Sequence, residues 1–293
     1  MPAPEWLAEQ FEAHRAHLRA VAYRMLGSVT EAEDAVQESW IRLGRTDVSG
    51  VENLRAWLTT VVARVCLDML RTRTSRREDP LDTHVPDPVI TRAAEDPESD
   101  AMLADSVGLA LLVVLETPEP AERLAFVLHD VFGMTFDEIA PIVDRSAVAT
   151  RQLASRARRQ VQGQAPTSDT DLRKQRRVVD AFLAAARDGD FEALVAVLDP
   201  AIVLRADGGA VKGMSRLVRG AQAVAAQAAT FSKLGLSNQV VLVNGNVGLV
   251  CRLPDGRLFS VLAFTIAGGK VLEIDILADP ERLNRLDLSA VEE

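Results

Sequence analysis

The chain has 293 residues, 48% of them hydrophobic, and carries 33 Lys and Arg against 42 Asp and Glu for a formal net charge of −9. Such a length suits two or three modest cores, and the acidity excludes a protein that coats nucleic acid unaided, because phosphate neutralisation needs a surplus of cations. Cys66 and Cys251 lie far apart in apolar surroundings, against a disulfide framework or a zinc site; no window is apolar for ~18 residues and MPAPEWLAEQFEAHR lacks the order of a secretory signal, so no membrane partner and a cytoplasmic location are expected.

From Trp6 to about Arg73 apolar residues recur at three and four, the period of helices, with no strand-like alternation. Within EAEDAVQESWIRL, Glu31, Asp34 and Glu38 fall on one side of a helix, although like charges so placed weaken it by a few tenths of a kcal/mol each. A basic partner protein would relieve such a stripe. Val36 and Trp40 point the other way, into a core. In the next helical segment Leu54, Trp57, Leu58, Val61, Val62, Val65 and Met69 form the apolar stripe, and Arg64, Asp68 and Arg71 share the outer face. Between Arg55 and Arg77 the charges are arginines apart from Asp68, which makes a local basic patch in an acidic chain.

Pro80, Pro86, Pro88 and Pro97 interrupt Thr74 to Ala101, whose lack of periodicity predicts an extended tether. Helices resume near Met102 and continue to Val161, with Thr117-Pro-Glu-Pro as a start and Gly133 as a stop. Within residues 134–161, a short helix from Thr135 to about Val143, a turn at Asp144-Arg145-Ser146 and a second helix capped by Ser146 have the spacing of a helix-turn-helix. Pro141 is a misfit there, since it lacks a backbone donor. On the second helix Arg151, Gln152, Ser155, Arg156 and Arg159 lie on or near one face without carboxylates, a surface suited to a major groove. After a polar break at Gly163–Thr170, an amphipathic helix (Leu172 to Arg187) and a second short one precede the alternating runs AIVLRAD, NQVVLVN, NVGLVCRL, RLFSVLAFTIA and KVLEIDIL. Asn244-Gly245 and Gly268-Gly269 are hairpin signals, so an α+β domain with its sheet curved over helices is expected.

Three segments taken together, Glu33-Asp34-Ala35-Val36-Gln37-Glu38, Arg55-Ala56-Trp57-Leu58 leading to Asp68-Met69-Leu70-Arg71, and Phe136-Asp137-Glu138-Ile139-Ala140 with Arg156-Ala157-Arg158, resemble the extracytoplasmic-function sigma factors of bacterial RNA polymerase. Their two all-α domains, σ2 and σ4, match residues of about 5–77 and 103–161, with 78–102 as the linker between them. The resemblance implies that Asp34, Gln37 and Glu38 dock on the β′ coiled coil of core polymerase. It further implies that σ2 holds the melted −10 promoter strand with Arg64, Arg71, Arg73 and the loop Gly44–Asn53. For σ4 it implies contact with the β flap and recognition of −35 DNA through Ser146, Arg151, Gln152, Ser155, Arg156 and Arg159. No cofactor, metal or catalytic residue is implied.

After a second linker at 162–170, residues of about 171–283 resemble the SnoaL-like domains, α+β cones that in other proteins bind or cyclise small molecules. Ala206-Asp207-Gly208-Gly209 and Asp279-Pro280-Glu281-Arg282-Leu283 look like the glycine-rich and Asn-Pro-Asp-Lys-Leu motifs of sigma factors with such an extension. Asp279 replaces the usual Asn, Ala210 stands in place of a third Gly, and Val85-Pro86-Asp87-Pro88 lacks the Trp-Leu that opens the linker motif. The implied role is regulatory: Asp207, Gly208 and Gly209 with Asp279, Pro280 and Leu283 touch the σ2–σ4 junction, no separate anti-sigma factor is required, and a small-molecule ligand in the cone stays open. Two other readings exist. In a one-component regulator the cone senses a metabolite and the helix-turn-helix binds an operator, which leaves the acidic helix unexplained. In a cyclase or isomerase, Arg205, Asp207 and Asp275 supply acid–base groups, but His14, His17, His84 and His129 all lie outside the domain.

Overall fold

The computed structural model describes residues 5–46, 51, 53–76, 83–92, 108–162, 168–211 and 213–289. Part of the loop Gly44–Asn53, most of the proline-rich linker and the helix start near Met102 lie outside them. The chain divides into two units, residues 1–79 with 114–164, and residues 80–113 with 165–293.

In the first unit, helices α1 (Glu5–Leu26), α2 (Val29–Leu43) and α3 (Leu54–Arg76) pack on one another. Gly27, at a φ of 70°, lets the chain reverse after α1, and the Ser28 side chain then accepts from the Glu31 amide to start α2. The buried positions of α2, Ala32, Ala35, Val36, Ser39 and Leu43, recur at three and four and so form one face. On α3 the buried set is Leu58, Thr59, Val62, Ala63, Val65, Cys66, Leu67 and Leu70, while Trp57 is only half-buried. Trp40 is half-buried too, its ring centroid 5.0 Å from that of Phe11.

Helix α4 (Leu109–Val114) precedes α5 (Pro120–Phe126), which opens with a proline at its first position, where the missing N–H costs nothing. A π turn at Val127–Val131 extends α5 to Gly133, whose φ of 70° ends the run. Helix α6 (Phe136–Val143) starts with a reciprocal cap: Thr135 accepts from the Glu138 amide, and the Glu138 carboxylate accepts from the Thr135 amide and hydroxyl. Those bonds hold the Glu138 carboxyl below the usual range. Asp144 takes the left-handed conformation at φ 55°, and Ser146 accepts from the Ala149 amide at 3.2 Å to open α7 (Ala147–Gln162).

The second unit contains most of α4, then α8 (Leu172–Asp188), α9 (Phe191–Val197), α10 (Ala221–Phe231), the short α11 (Pro280–Leu283) and a sheet. Among the described residues the strands are β1 (Ile90–Thr91), β2 (Leu198–Asp207), β3 (Arg216–Arg219), β4 (Ser237–Val243), β5 (Asn246–Arg252), β6 (Leu258–Ala267) and β7 (Lys270–Leu277). Their spatial order is β1-β4-β5-β6-β7-β2-β3, with only β2 and β7 parallel. Positive φ at Asn244 (49°) and Gly245 (76°), and at Gly268 (58°) and Gly269 (74°), make the two tight hairpins that join β4 to β5 and β6 to β7. Phe182, Leu194, Ile202, Leu204, Phe264 and Ile274 lie in the core between helices and sheet, with Phe182 and Phe264 edge-on at 5.7 Å.

Three features depart from the sequence expectations. Residues 83–92 of the expected tether are not free: Ile90 and Thr91 pair with Val243 and Leu242 as an edge strand, and the Val89 amide donates to the Asn244 side chain at 3.0 Å. Apolar residues drive this, since Val85, Val89 and Ile90 are all buried. Strand β3 and helix α10 were not anticipated. The first is four residues long and the second is an alanine-rich run with little contrast between its faces.

Candidate functional site

On α2, Asp34 and Gln37 are exposed, and Glu38 is half-buried with its carboxylate 2.9 Å from Arg42 Nε. The neighbouring acids are engaged within the unit: Glu33 binds Arg19 at 2.6 Å and Arg15 at 3.4 Å, and Glu31 binds Arg73. Asp34 and Gln37 therefore present their polar groups to solvent, and one helical turn beyond Gln37 on the same side stands Ile41, 40% exposed. Sequence reasoning missed Ile41. An apolar side chain inside a charged stripe is a common anchor of an interface.

On α3, Arg64 and Arg71 are exposed as expected, and Arg71 lies 4.0 Å from Asp68. Arg64 Nη2 donates to the Pro141 carbonyl at 3.0 Å. That carbonyl is available because the Arg145 amide, which would close the next helical bond, instead reaches back to Ala140. Arg73 corrects the expectation. Nine residues on from Arg64 it lies half a turn away around the helix, and its guanidinium binds Glu31, the Leu26 carbonyl at 3.2 Å and Glu116 at 3.8 Å. It does not join Arg64 and Arg71 on an open face.

On α7, Ser146, Arg151, Gln152, Arg156 and Arg159 are exposed and Ser155 is half-buried. Arg151 lies over the Phe136 ring at 5.3 Å, Arg156 pairs with the buried Glu122 at 3.1 Å, and Arg159 Nε reaches the Ser155 carbonyl at 3.4 Å. Arg158, by contrast, is turned to Asp130, with Nη2 at 2.6 Å. Val148, in the first turn, is 67% exposed, and it too was missed. Exposed arginines and glutamine for phosphates and base edges, with an apolar group at the helix start, are what a groove-reading helix needs.

The two C-terminal motifs converge on a buried cluster centred on Asp207. Arg282 Nη1 donates to Asp207 Oδ2 at 2.7 Å, its Nε donates to Asp87 Oδ1 at 2.8 Å, and its Nη2 donates to Asp87 Oδ1 and the Val85 carbonyl, both at 2.5 Å. Asp207 also accepts from the Val85 amide at 3.1 Å and lies 3.2 Å from His84 Nδ1. Burial alone would raise the Asp207 carboxyl; the bonds from His84, Val85 and Gly209 and the charge of Arg282 outweigh it and hold the group at about 2. Gly209 needs to be glycine twice over, since its φ is 56° and an added Cβ would collide with the Asp279 carboxylate. Asp279 accepts from the Glu281 amide at 2.9 Å to start α11, Pro280 takes the first helical position, and Leu283 is buried. The two motifs thus adjoin where Gly209 faces Asp279 and where Arg282 binds Asp207. The residues that tie them to the linker, Arg282 with Asp87, Val85 and His84, were missed as site residues, although Arg282 stands at the basic position of the tail motif.

Arg205 and Asp275, the candidates for acid–base chemistry, pair with each other at 2.5 Å. Strand alternation places them opposite Leu204, Ala206, Ile274 and Ile276, which face the interior of the cone. Burial, and then repulsion from Asp275, raise the nearby Glu273 carboxyl to about 7. Among the described residues no group of three or more His, Cys, Asp or Glu side chains is placed to hold a metal ion, and no helix is long and apolar enough to cross a membrane.

Comparison with known proteins places both helical segments in described families. Residues 10–76 match Sigma-70 region 2, and residues 109–161 match Sigma-70, region 4. The chain is 39% identical to the ECF RNA polymerase sigma factor SigJ of Mycobacterium tuberculosis, over 93% of this chain and 92% of that protein. It is 37% identical to the probable ECF RNA polymerase sigma factor SigI of the same species, over 94% of each. The crystal structure of M. tuberculosis SigJ superposes with a TM-score of 0.76 at 34% identity, covering 96% of this chain and 99% of that one. The chain belongs to the extracytoplasmic-function sigma factors, promoter-recognition factors that bind RNA polymerase and promoter DNA rather than catalyse a reaction.

Proposed function

We propose that region 2 (about 5–77) docks on the polymerase β′ coiled coil through Asp34, Gln37, Glu38 and Ile41 and meets −10 DNA through Arg64 and Arg71. Region 4 (about 103–161) meets the β flap and reads −35 DNA through Ser146, Arg151, Gln152, Ser155, Arg156 and Arg159. The domain at 171–283 regulates both in cis.

The observation that carries the regulatory part is the Arg282 bridge, because Asp87 and Val85 belong to the segment that connects the two DNA-binding regions. Holding that segment limits the paths open to regions 2 and 4. A fused regulator acts at an effective concentration of roughly millimolar for a short tether, so no separate anti-sigma factor is required. The Arg64–Pro141 bond supports the same reading. Promoter elements at −10 and −35 lie about 25 base pairs apart, roughly 85 Å of duplex at 3.4 Å per step. A −10 arginine that touches the first helix of the helix-turn-helix belongs to a closed, DNA-incompetent state, which polymerase must open.

Mixed with core RNA polymerase, the purified chain is expected to co-elute and to support promoter-dependent run-off transcription. D34K/E38K is expected to lose co-elution with an unchanged circular dichroism spectrum; retained binding would show that another face meets the polymerase. Arg282→Ala is expected to change run-off output severalfold at equal core occupancy, and an unaltered output would remove the cis-regulatory role.

A further inference from the structure

The strands of the second unit are in a register that aims one set of side chains inward. Arg216 pairs with Ala206, Ala206 with Ile276, Ile276 with Leu262, Leu262 with Leu249, and Leu249 with Val240. Paired residues share a face of the sheet, so Arg216 ends a row that is otherwise apolar. The adjoining row holds Asn238, Cys251 and Ser260. Over these rows α8 and α10 leave a cavity of about 530 Å³, closed on the helical side by residues such as Phe182, Leu183, Ala228 and Phe231. Sites for small molecules commonly measure ~300–1,000 Å³ and combine apolar walls with a few convergent polar groups.

The charges of this cavity have one sign. Arg187 and Arg216 line it, and among the described residues no aspartate or glutamate does. Arg187 lies 3.5 Å from the exposed Asp188. Arg216 donates to the Gly213 carbonyl at 2.7 Å and lies over the Phe231 ring at 5.7 Å, and among the described residues it meets no carboxylate. Arg216 is half-buried at this apolar wall, so a carboxylate arriving there would gain a charge-assisted bond to its guanidinium. The buried aspartates Asp275 and Asp207 are engaged elsewhere: Asp275 binds Arg205 on the other face, and Asp207 binds Arg282. Cys251 brings no competing charge, since burial pushes its thiol up to about 11.

We propose that this cavity is a binding site for an amphiphilic organic anion, an apolar molecule bearing one carboxylate, with Arg216 as the anchor of the carboxylate and Ser260 and Asn238 as flanking hydrogen-bonding groups. It stands independently of the polymerase contacts.

The test uses the full chain with 1-anilinonaphthalene-8-sulfonate as the fluorescent probe, displaced by dodecanoate or by dodecan-1-ol. Saturable binding of one probe per chain is expected, with dodecanoate displacing it at least tenfold more tightly than the neutral alcohol. Arg216→Gln is expected to bring that preference below threefold while the alcohol still displaces. Ala228→Phe and Leu262→Trp, which fill the cavity from a helix and from the sheet, are each expected to abolish binding. Because the probe also reports misfolded surface, dodecanoate binding is measured in parallel by isothermal titration on variants whose near-ultraviolet circular dichroism is native. Absence of saturable binding, an acid preference that survives Arg216→Gln, or wild-type affinity in a natively folded filling variant would each overturn the assignment.

Discussion

The outer face of α2 and the cluster around Asp207 both concentrate charge, but they treat it in opposite ways. On α2 the ion pair of Glu38 with Arg42 is open to solvent on one side, and the exposed Asp34 faces water. Around Asp207 two carboxylates, a guanidinium and backbone groups are packed out of water and joined to one another. Exposed pairs contribute ~0–1 kcal/mol, whereas removing one partner of a buried pair costs ~3–5 kcal/mol, because the other charge is left without compensation. Unfinished charge at a surface indicates a partner still to come. Completed charge in the interior indicates that the partner, the linker, is already in place.

The contrast breaks most visibly at Arg282. Arg282→Ala is expected to destabilise the second unit by ~3–5 kcal/mol in chemical denaturation, since Asp207 and Asp87 stay buried without their cation; adding Asp207→Asn and Asp87→Asn should recover most of the loss. Next in size, Gly209→Ala combines a disfavoured φ with a collision at Asp279 and should cost more than Gly133→Ala, where φ is also positive but no atom lies near. The strained backbone alone is expected to cost ~1 kcal/mol, so the difference between the two measures the packing at Asp279.

The pH dependence sharpens the comparison further. Asp207, held at about 2, contributes stability that is present above its unfolded value near 3.8 and is lost as pH falls toward 2. Glu273, raised to about 7, has the opposite sign: the protonated group favours the fold, and its contribution is lost as pH rises from its unfolded value near 4.5 through 7. Melting of the wild type, Asp207→Asn and Glu273→Gln across pH 2.5–8 (about the range set by these shifts) should show the acid limb flattened in the first variant and the neutral limb flattened in the second. Smallest of all, D34K/E38K should alter stability by less than ~0.5 kcal/mol, as surface changes do, even though it removes the proposed polymerase contact.

Local rules made much of the fold readable. The three-and-four spacing of α1 to α3, the cap Ser146, and the Asn-Gly and Gly-Gly hairpins each involve neighbours in sequence, so periodicity and turn chemistry expose them. Strand β3 was too short to show alternation, and α10 lacked a polar face to contrast with its alanines. The helix-turn-helix was legible because its two helices and the turn between them are consecutive in sequence. Arg73 was misplaced by counting charge without angle. The Arg282–Asp87 pair joins positions 195 residues apart and leaves no local pattern. Only the basic character of the tail motif hinted at it.

Strand β1 has one more consequence. It supplies Ile90 and Thr91 to cover β4, which would otherwise be the outermost strand of the sheet on that side. Peeling the linker away would uncover a row of unsatisfied amides and carbonyls beside Val241 and Val243, a template for pairing with another molecule. A fragment that begins after residue 167 should therefore self-associate at β4, and a released linker should be recaptured quickly unless something else caps that edge.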